Sequence, residues 1–211
     1  MRKVIAVAVL LGLVVAGTPC LAQDEIGLSV AAKVWYAVFD FDGEESDSTP
    51  LIGGTASLDL GEAFWVSIQY LQGEFEFDNP AFRDTEEKDG ELVLGFNFEI
   101  FDLGVGVRVT EINEVVVYGP VAYVGIGSTF GDSPFGWYGG ASIVPIMVTD
   151  EGDETDVKHW NIEGGIFFSS APFTAQVGYR HKSYLEVEDS WTGESLDVSV
   201  GGAVAAAGVS F

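Results

Sequence analysis

Residues 91–101 read ELVLGFNFEIF, and every second residue is large and apolar: Leu92, Leu94, Phe96, Phe98 and Ile100 share one face of an extended chain, while Glu91, Val93, Gly95, Asn97 and Glu99 share the other. Successive side chains of a strand point to opposite faces, so this period of two marks a strand with one greasy face and one polar or small face. The pattern recurs outward from this stretch. In residues 103–111, Leu103, Val105, Val107 and Val109 alternate with Gly104, Gly106, Arg108 and Thr110. Leu28, Val30, Ala32, Val34 and Tyr36 stand opposite Ser29, Ala31, Lys33 and Trp35, and Val66, Ile68 and Tyr70 stand opposite Ser67 and Gln69.

Reading turn-forming residues as boundaries predicts ten strands, at about 26–39, 50–60, 63–77, 90–100, 103–112, 117–128, 135–149, 157–169, 172–185 and 196–211, with eight as the alternative number. The connections DFDGEESDST, DNPAFRDTEEKDG, INEVVV, TDEGDETD and VEDSWTGES are mostly long and acidic, whereas GEA, FD, FGDSPF and SSAP are short. Long connections at one end and short ones at the other predict an all-β fold, a transmembrane antiparallel up-and-down β-barrel over residues 23–211. A soluble periplasmic ligand-binding barrel is the competing reading, and it reverses the faces, with apolar side chains inside. The glycines, Lys33, Gln69, Glu91, Asn97, Glu99 and Arg108 of the polar face favour a crowded lumen. Two sets of aromatics support lipid outside: Phe64, Trp65, Phe101, Phe130, Phe135, Trp137 and Phe173 near the short turns, and Trp35, Tyr36, Phe39, Phe75, Tyr118, Trp160, Tyr179 and Tyr184 towards the long loops.

The first 22 residues, MRKVIAVAVLLGLVVAGTPCLA, join a basic start to a short apolar run and a small-residue end, which predicts a cleaved signal peptide. Cleavage after Ala22 removes Cys20, the single cysteine, and two of the nine basic residues but none of the 33 acidic ones, leaving 7 minus 33, a charge of −26. Such a surface repels phosphate and excludes nucleic acid as a partner. With 47% hydrophobic and 20% charged residues, the chain is also excluded from the disordered class.

The signal sequence, the amphipathic strands and the terminal aromatic Phe211, in phase with Val209, resemble the bacterial outer-membrane β-barrel proteins. The alanines at 203, 205 and 207 depart from the bulky lipid-facing residues usual there. The resemblance implies an assembly signal at Val209 and Phe211, recognition by the barrel-insertion machinery, export through the periplasm, and residence among lipid and lipopolysaccharide of a Gram-negative outer membrane. A structural, adhesive or narrowly permeable role for a monomer follows, with porin-like architecture and no cofactor.

Two further patterns bear on chemistry. GYRHKSYLE (178–186) sets His181 and Ser183 on one strand face, which resembles the His-x-Ser pair of lipid A deacylases, where histidine activates the serine hydroxyl. Tyr184 stands where that family commonly has Asn, and no acid is identifiable to orient the histidine. A lipid A-modifying hydrolase is therefore the enzymatic alternative. Omptin-type proteases also have ten strands, but their Asp/Asp and Asp/His rim pairs have no specific counterpart here. His159 reads as a single interfacial histidine, with no ligand-spaced partner for a metal. The loop at 40–50 lacks the spacing of an EF-hand and is expected to be solvated, with at most weak divalent cation binding.

The inward face is expected to hold a polar network of Lys33, Glu91, Asn97, Glu99, Arg108, Asn161, Glu163, Arg180 and Lys182. A turn at Phe101 and Asp102 would set Gly95 opposite Arg108, with Asn97 diagonal. A turn near Ala171 would set Arg180 opposite Asn161 and diagonal to Glu163. Ten strands filled this way should enclose a nearly closed lumen.

Overall fold

A computed structural model describes residues 26–78, 84–149, 154–155, 158–188 and 195–211. The expected signal peptide at 1–22 lies outside them. The chain is a closed antiparallel barrel of ten strands: β1 (Ile26–Phe41), β2 (Thr49–Leu60), β3 (Phe64–Phe75), β4 (Thr85–Phe98), β5 (Phe101–Ile112), β6 (Val115–Thr129), β7 (Phe135–Val144), β8 (Lys158–Ser170), β9 (Phe173–Glu188) and β10 (Ser195–Ser210). Each pairs with the next, and β10 pairs with β1 from Ser29 opposite Ser210 to Phe41 opposite Val198. Closure leaves no free edge to template aggregation. Phe211 prolongs the seam, its backbone N–H donating to the Leu28 carbonyl at 2.8 Å and its carbonyl accepting from Leu28 at 3.0 Å.

The connections sort by end, with one correction. Gly61–Ala63, Glu99–Ile100, residues 130–134 and Ala171–Pro172 make the short end. At the opposite end, the link from β5 to β6, read from sequence with the long acidic loops, is a two-residue turn at Asn113 and Glu114 with φ of 48° and 72°. Two central residues in the left-handed region match the right-handed twist of the flanking strands, and Asn tolerates that region. The stretch at 135–149 is also broken. Pro145 cannot donate to the ladder, so β7 stops at Val144 and a short strand, Met147–Thr149, pairs instead with Val117 and Tyr118 of β6.

The apolar face is outside. Leu94, Val105, Ile166 and Val177 are each more than half exposed, while Lys33, Arg108, Arg180 and Lys182 are buried within the barrel. A soluble barrel would have the reverse arrangement, so that alternative is overturned. The exterior is a continuous apolar band far larger than a water-soluble monomer carries. At the short-turn end the band is edged by Phe64, Phe96, Phe98 and Phe101, whose rings contact one another at centroid distances of 4.6 to 6.5 Å. Tyr36, Tyr118 and Tyr179 are exposed towards the other end.

Five aromatics expected at the lipid interfaces point inward instead. Trp35, Phe39, Phe75 and Tyr184 are buried together in the long-loop half of the lumen, and Trp65 lines its other half. Strand phase decides this. Trp35 and Phe39 are in phase with Lys33, and Tyr184 with Lys182. The core cluster they form with Leu51, Leu71, Val198, Val200 and Val204 is drawn from five neighbouring strands, β9, β10, β1, β2 and β3, and makes a dry layer against that side of the lumen.

Candidate functional site

Beneath the dry layer lies a charged one. β4 contributes Glu87, Asp89 and Glu91 on successive inward positions, β5 contributes Arg108, β8 Glu163, β9 Arg180 and Lys182, and β1 Lys33. Four cations thus face four carboxylates. In a lumen poor in water an unpaired charge costs several kcal/mol, so this balance is what allows the layer to exist. The large net negative charge of the chain therefore resides outside it.

The pairs are specific. Arg180 donates to Asp89 Oδ2 at 3.2 Å and, through Nε, to Asn161 Oδ1 at 2.9 Å. Lys182 pairs with Glu87, both fully buried, and lies 3.9 Å from Asp89. Arg108 pairs with Glu91, lies 3.5 Å from Asp89 Oδ1 and contacts the His159 ring nitrogens at 2.8 and 3.0 Å. Lys33 donates to Glu163 Oε2 at 2.7 Å and Gln69 Oε1 at 2.9 Å, and the Tyr138 hydroxyl donates to Glu163 at 3.3 Å. The Trp35 face joins the two layers, with the Arg180 guanidinium 4.8 Å and the Lys182 ammonium 5.6 Å from its ring centre. Such contacts add about 0.5 to 2 kcal/mol each when desolvated.

Towards the short turns the lumen opens into a cavity of about 560 Å³, lined by hydroxyl, amide and aromatic side chains that include Ser67, Gln69, Trp65 and Tyr123. The barrel is thus stratified along its axis: a dry aromatic layer, a neutral layer of paired charges, and a polar vestibule.

Seven of the nine residues expected in the lumen network belong to the charged layer: Lys33, Glu91, Arg108, Asn161, Glu163, Arg180 and Lys182. Asn97 faces inward but lines the vestibule mouth. Glu99 is a correction. It occupies the tight turn at φ 45° and is exposed, because the turn falls at Glu99–Ile100 rather than at Phe101–Asp102. That turn moves the register by four residues, so Gly95 is opposite Gly104 and Arg108 opposite Glu91. The turn at Ala171–Pro172 likewise sets Arg180 opposite Glu163, and Asn161 opposite Lys182. Arg180 still reaches Asn161, now along the diagonal.

Three central residues escaped the sequence reading. The loop expected at 78–90 includes Glu87 and Asp89, although Thr85, Glu87 and Asp89 continue the inward phase of Glu91 and Val93. His159 is not interfacial: it is fully buried in the lumen, 5.2 Å ring to ring from Tyr184. His181 and Ser183 share the outward face, as expected. His181 packs on Trp160 at 5.2 Å, and no hydrogen bond joins it to Ser183. Among the described residues neither histidine contacts a carboxylate, and no cluster of metal-ligating side chains occurs.

No protein-family model and no curated protein matches the chain. Its backbone is similar to the outer-membrane protease OmpT from Escherichia coli, with a TM-score of 0.52 and 10% identity over 92% of this chain and 98% of that one. It is also similar to the N-terminal β-barrel domain of Pseudomonas aeruginosa OprF, with a TM-score of 0.32 and 14% identity over 87% and 97% of the two chains. The neisserial surface protein NspA matches with a TM-score of 0.35 and 11% identity over 88% and 97%. The closed barrel, with the OmpT backbone likeness beside it, is the fold of bacterial outer-membrane β-barrel proteins.

Proposed function

We propose that this protein is a closed, non-conducting barrel of the Gram-negative outer membrane, a structural element that anchors acidic loops at the cell surface. The observation that carries this reading is the pairing of Arg180 with Asp89 and Lys182 with Glu87 directly under the dry aromatic layer. Strands β4 and β9 are tied through the middle of the lumen, across the space an open pore would need, which supports a barrel that does not conduct as a porin does. Lipid and lipopolysaccharide are its surroundings, Val209 and Phe211 its assembly signal for the insertion machinery, and export through the periplasm its route. It acts as a monomer.

The backbone likeness to a protease does not extend this reading to catalysis. Hydrolysis by a histidine-assisted mechanism needs the imidazole beside a proton partner. His159 instead meets Arg108, and His181 meets Trp160. An aromatic neighbour neither accepts the imidazole proton nor orients it towards Ser183, which disfavours the deacylase alternative.

Membrane fractionation, followed by electrophoresis of boiled and unboiled samples, tests the proposal. The protein is expected in the outer-membrane fraction and to run differently when left folded in detergent. Recovery in the soluble fraction with no heat-dependent shift would contradict it.

A further inference from the structure

The vestibule has features that a closed structural plug does not require. Trp65 lies across the backbone of β4 and β5, where an added Cβ on Gly95 would come within 2.4 Å of its ring and one on Gly104 within 3.3 Å. Its ring meets Tyr123 edge-on at 5.7 Å. Tyr123 in turn is seated over Gly125 and Gly140, where a Cβ would approach its hydroxyl to 2.6 and 2.9 Å. Four glycines on four strands thus clear the wall for an aromatic pair that faces the cavity.

Charge sets the rest. Four carboxylates line this cavity, Asp59, Glu91, Asp102 and Glu163, against two cations, Lys33 and Arg180. Glu91 and Glu163 are engaged by Arg108 and Lys33. Asp59 and Asp102 pair with no basic group among the described residues, and they flank the aromatic pair. Asp59 is the cross-strand partner of Trp65, and Asp102 precedes by two residues Gly104, the partner of Tyr123. Hydroxyl and amide groups of Ser67, Gln69 and Gln176 complete the wall. An aromatic face beside convergent hydrogen-bonding groups suits a sugar ring, and two uncompensated carboxylates at a concave mouth attract a cation.

We infer that the vestibule is a binding site for a small polyhydroxylated amine of amino-sugar size, its ring against Trp65 and its ammonium between Asp59 and Asp102. The cavity, at about 560 Å³, falls within the usual range for small-molecule pockets. The inference goes beyond the structural role proposed above, and binding in micelles is measured independently of whether the barrel conducts.

The test is calorimetric titration of the full mature protein, folded in detergent, with glucosamine, glucose and putrescine. Glucosamine is expected to bind at one site, and to bind at least about fivefold more tightly than glucose, which has the ring without the charge, or putrescine, which has charge without the ring. Raising the salt concentration should weaken glucosamine and leave glucose unchanged. Asp59→Asn with Asp102→Asn, verified as folded by its heat-dependent gel shift, should bring glucosamine down to the affinity of glucose. Absence of glucosamine binding to folded wild type, equal binding of glucose or putrescine, or an unaltered affinity in the folded double variant would each overturn the inference. The three-ligand comparison on wild type decides the matter even if the variant does not fold.

Discussion

Arg180 on β9 and Asp89 on β4 meet at 3.2 Å although their strands stand five apart in a ring of ten, so the contact crosses the full width of the barrel. Lys182 and Glu87 repeat the crossing one inward position nearer the long loops. Adjacent strands are already held by their ladders. These two pairs connect opposite walls that the ladders leave unconnected, and the charged layer they belong to has no net charge.

Asp89 stands at the centre, within reach of Arg108, Arg180 and Lys182. Asp89→Asn leaves three mutually repelling cations short of one carboxylate, and breaking a buried pair from one side costs about 3 to 5 kcal/mol. Urea unfolding in micelles should show a loss of that size. Arg180→Ala should also destabilise. The double variant should lose less than the sum of the singles, since the two groups share one interaction.

The dry layer makes a separate prediction. Lys182 and Glu87 are fully buried, the Lys182 ammonium beside the Trp35 and Tyr184 rings, and desolvation offsets most of their mutual attraction. Lys182→Met alone and Glu87→Met alone should each destabilise by about 3 kcal/mol or more, and the double variant should recover to within about 1 kcal/mol of wild type, or exceed it. Thermal unfolding of the four proteins checks this. A double variant as unstable as the sum of the singles would show the ion pair itself to be indispensable.

In the loop after β1, Ser46 and Asp40 hold the backbone, Asp40 Oδ1 accepting from the Gly43 N–H at 2.9 Å, and three other carboxylates do not. Ser46 Oγ accepts from the Phe39 N–H at 2.9 Å and donates to the Asp47 carbonyl at 3.0 Å, whereas the side chains of Glu44, Glu45 and Asp47 lie exposed. Neutralising those three to Gln or Asn should leave assembly and unfolding unchanged, because solvent and salt screen them. Ser46→Ala should cost about 1 kcal/mol, the usual net value of a hydrogen bond. Assembly failure on neutralisation would mean that a bound cation orders the loop.

Outward-facing His181 and Ser183 provide the check on catalysis. Lipid A from cells expressing wild type, His181→Ala and Ser183→Ala should give the same acyl-chain masses. Loss of one chain with wild type alone would restore the hydrolase reading.

The faces and the number of strands were legible because alternation is a local signal, repeated at each residue, and a slip of one position would send Lys33 and Arg108 into lipid. Pairing was not. Register depends on how many residues a turn consumes, and both FD at 101–102 and EI at 99–100 could be read as the turn. Choosing the first displaced Arg108 by four residues from its partner Glu91. The start of β4 was hidden for a related reason: TEEKDG is rich in residues that favour loops, so Glu87 and Asp89 read as solvent-exposed acids. Their burial is explained chiefly by the cations five strands away on β9, a proximity that exists only once the barrel has closed. Trp35 and Tyr184 face the lumen because the phase of their own strands outweighs the general preference of aromatics for lipid interfaces.

The account stands most directly on whether the lumen is sealed, and single-channel recording in planar bilayers measures that. Wild-type protein inserted at moderate salt should give no steady conductance, only small irregular events, while Asp89→Asn should raise their frequency as the charged layer loosens. A large, steady conductance from wild type would mean that water and ions pass the Trp35 layer and the Arg180–Asp89 crossing, and the closed-barrel account would be wrong.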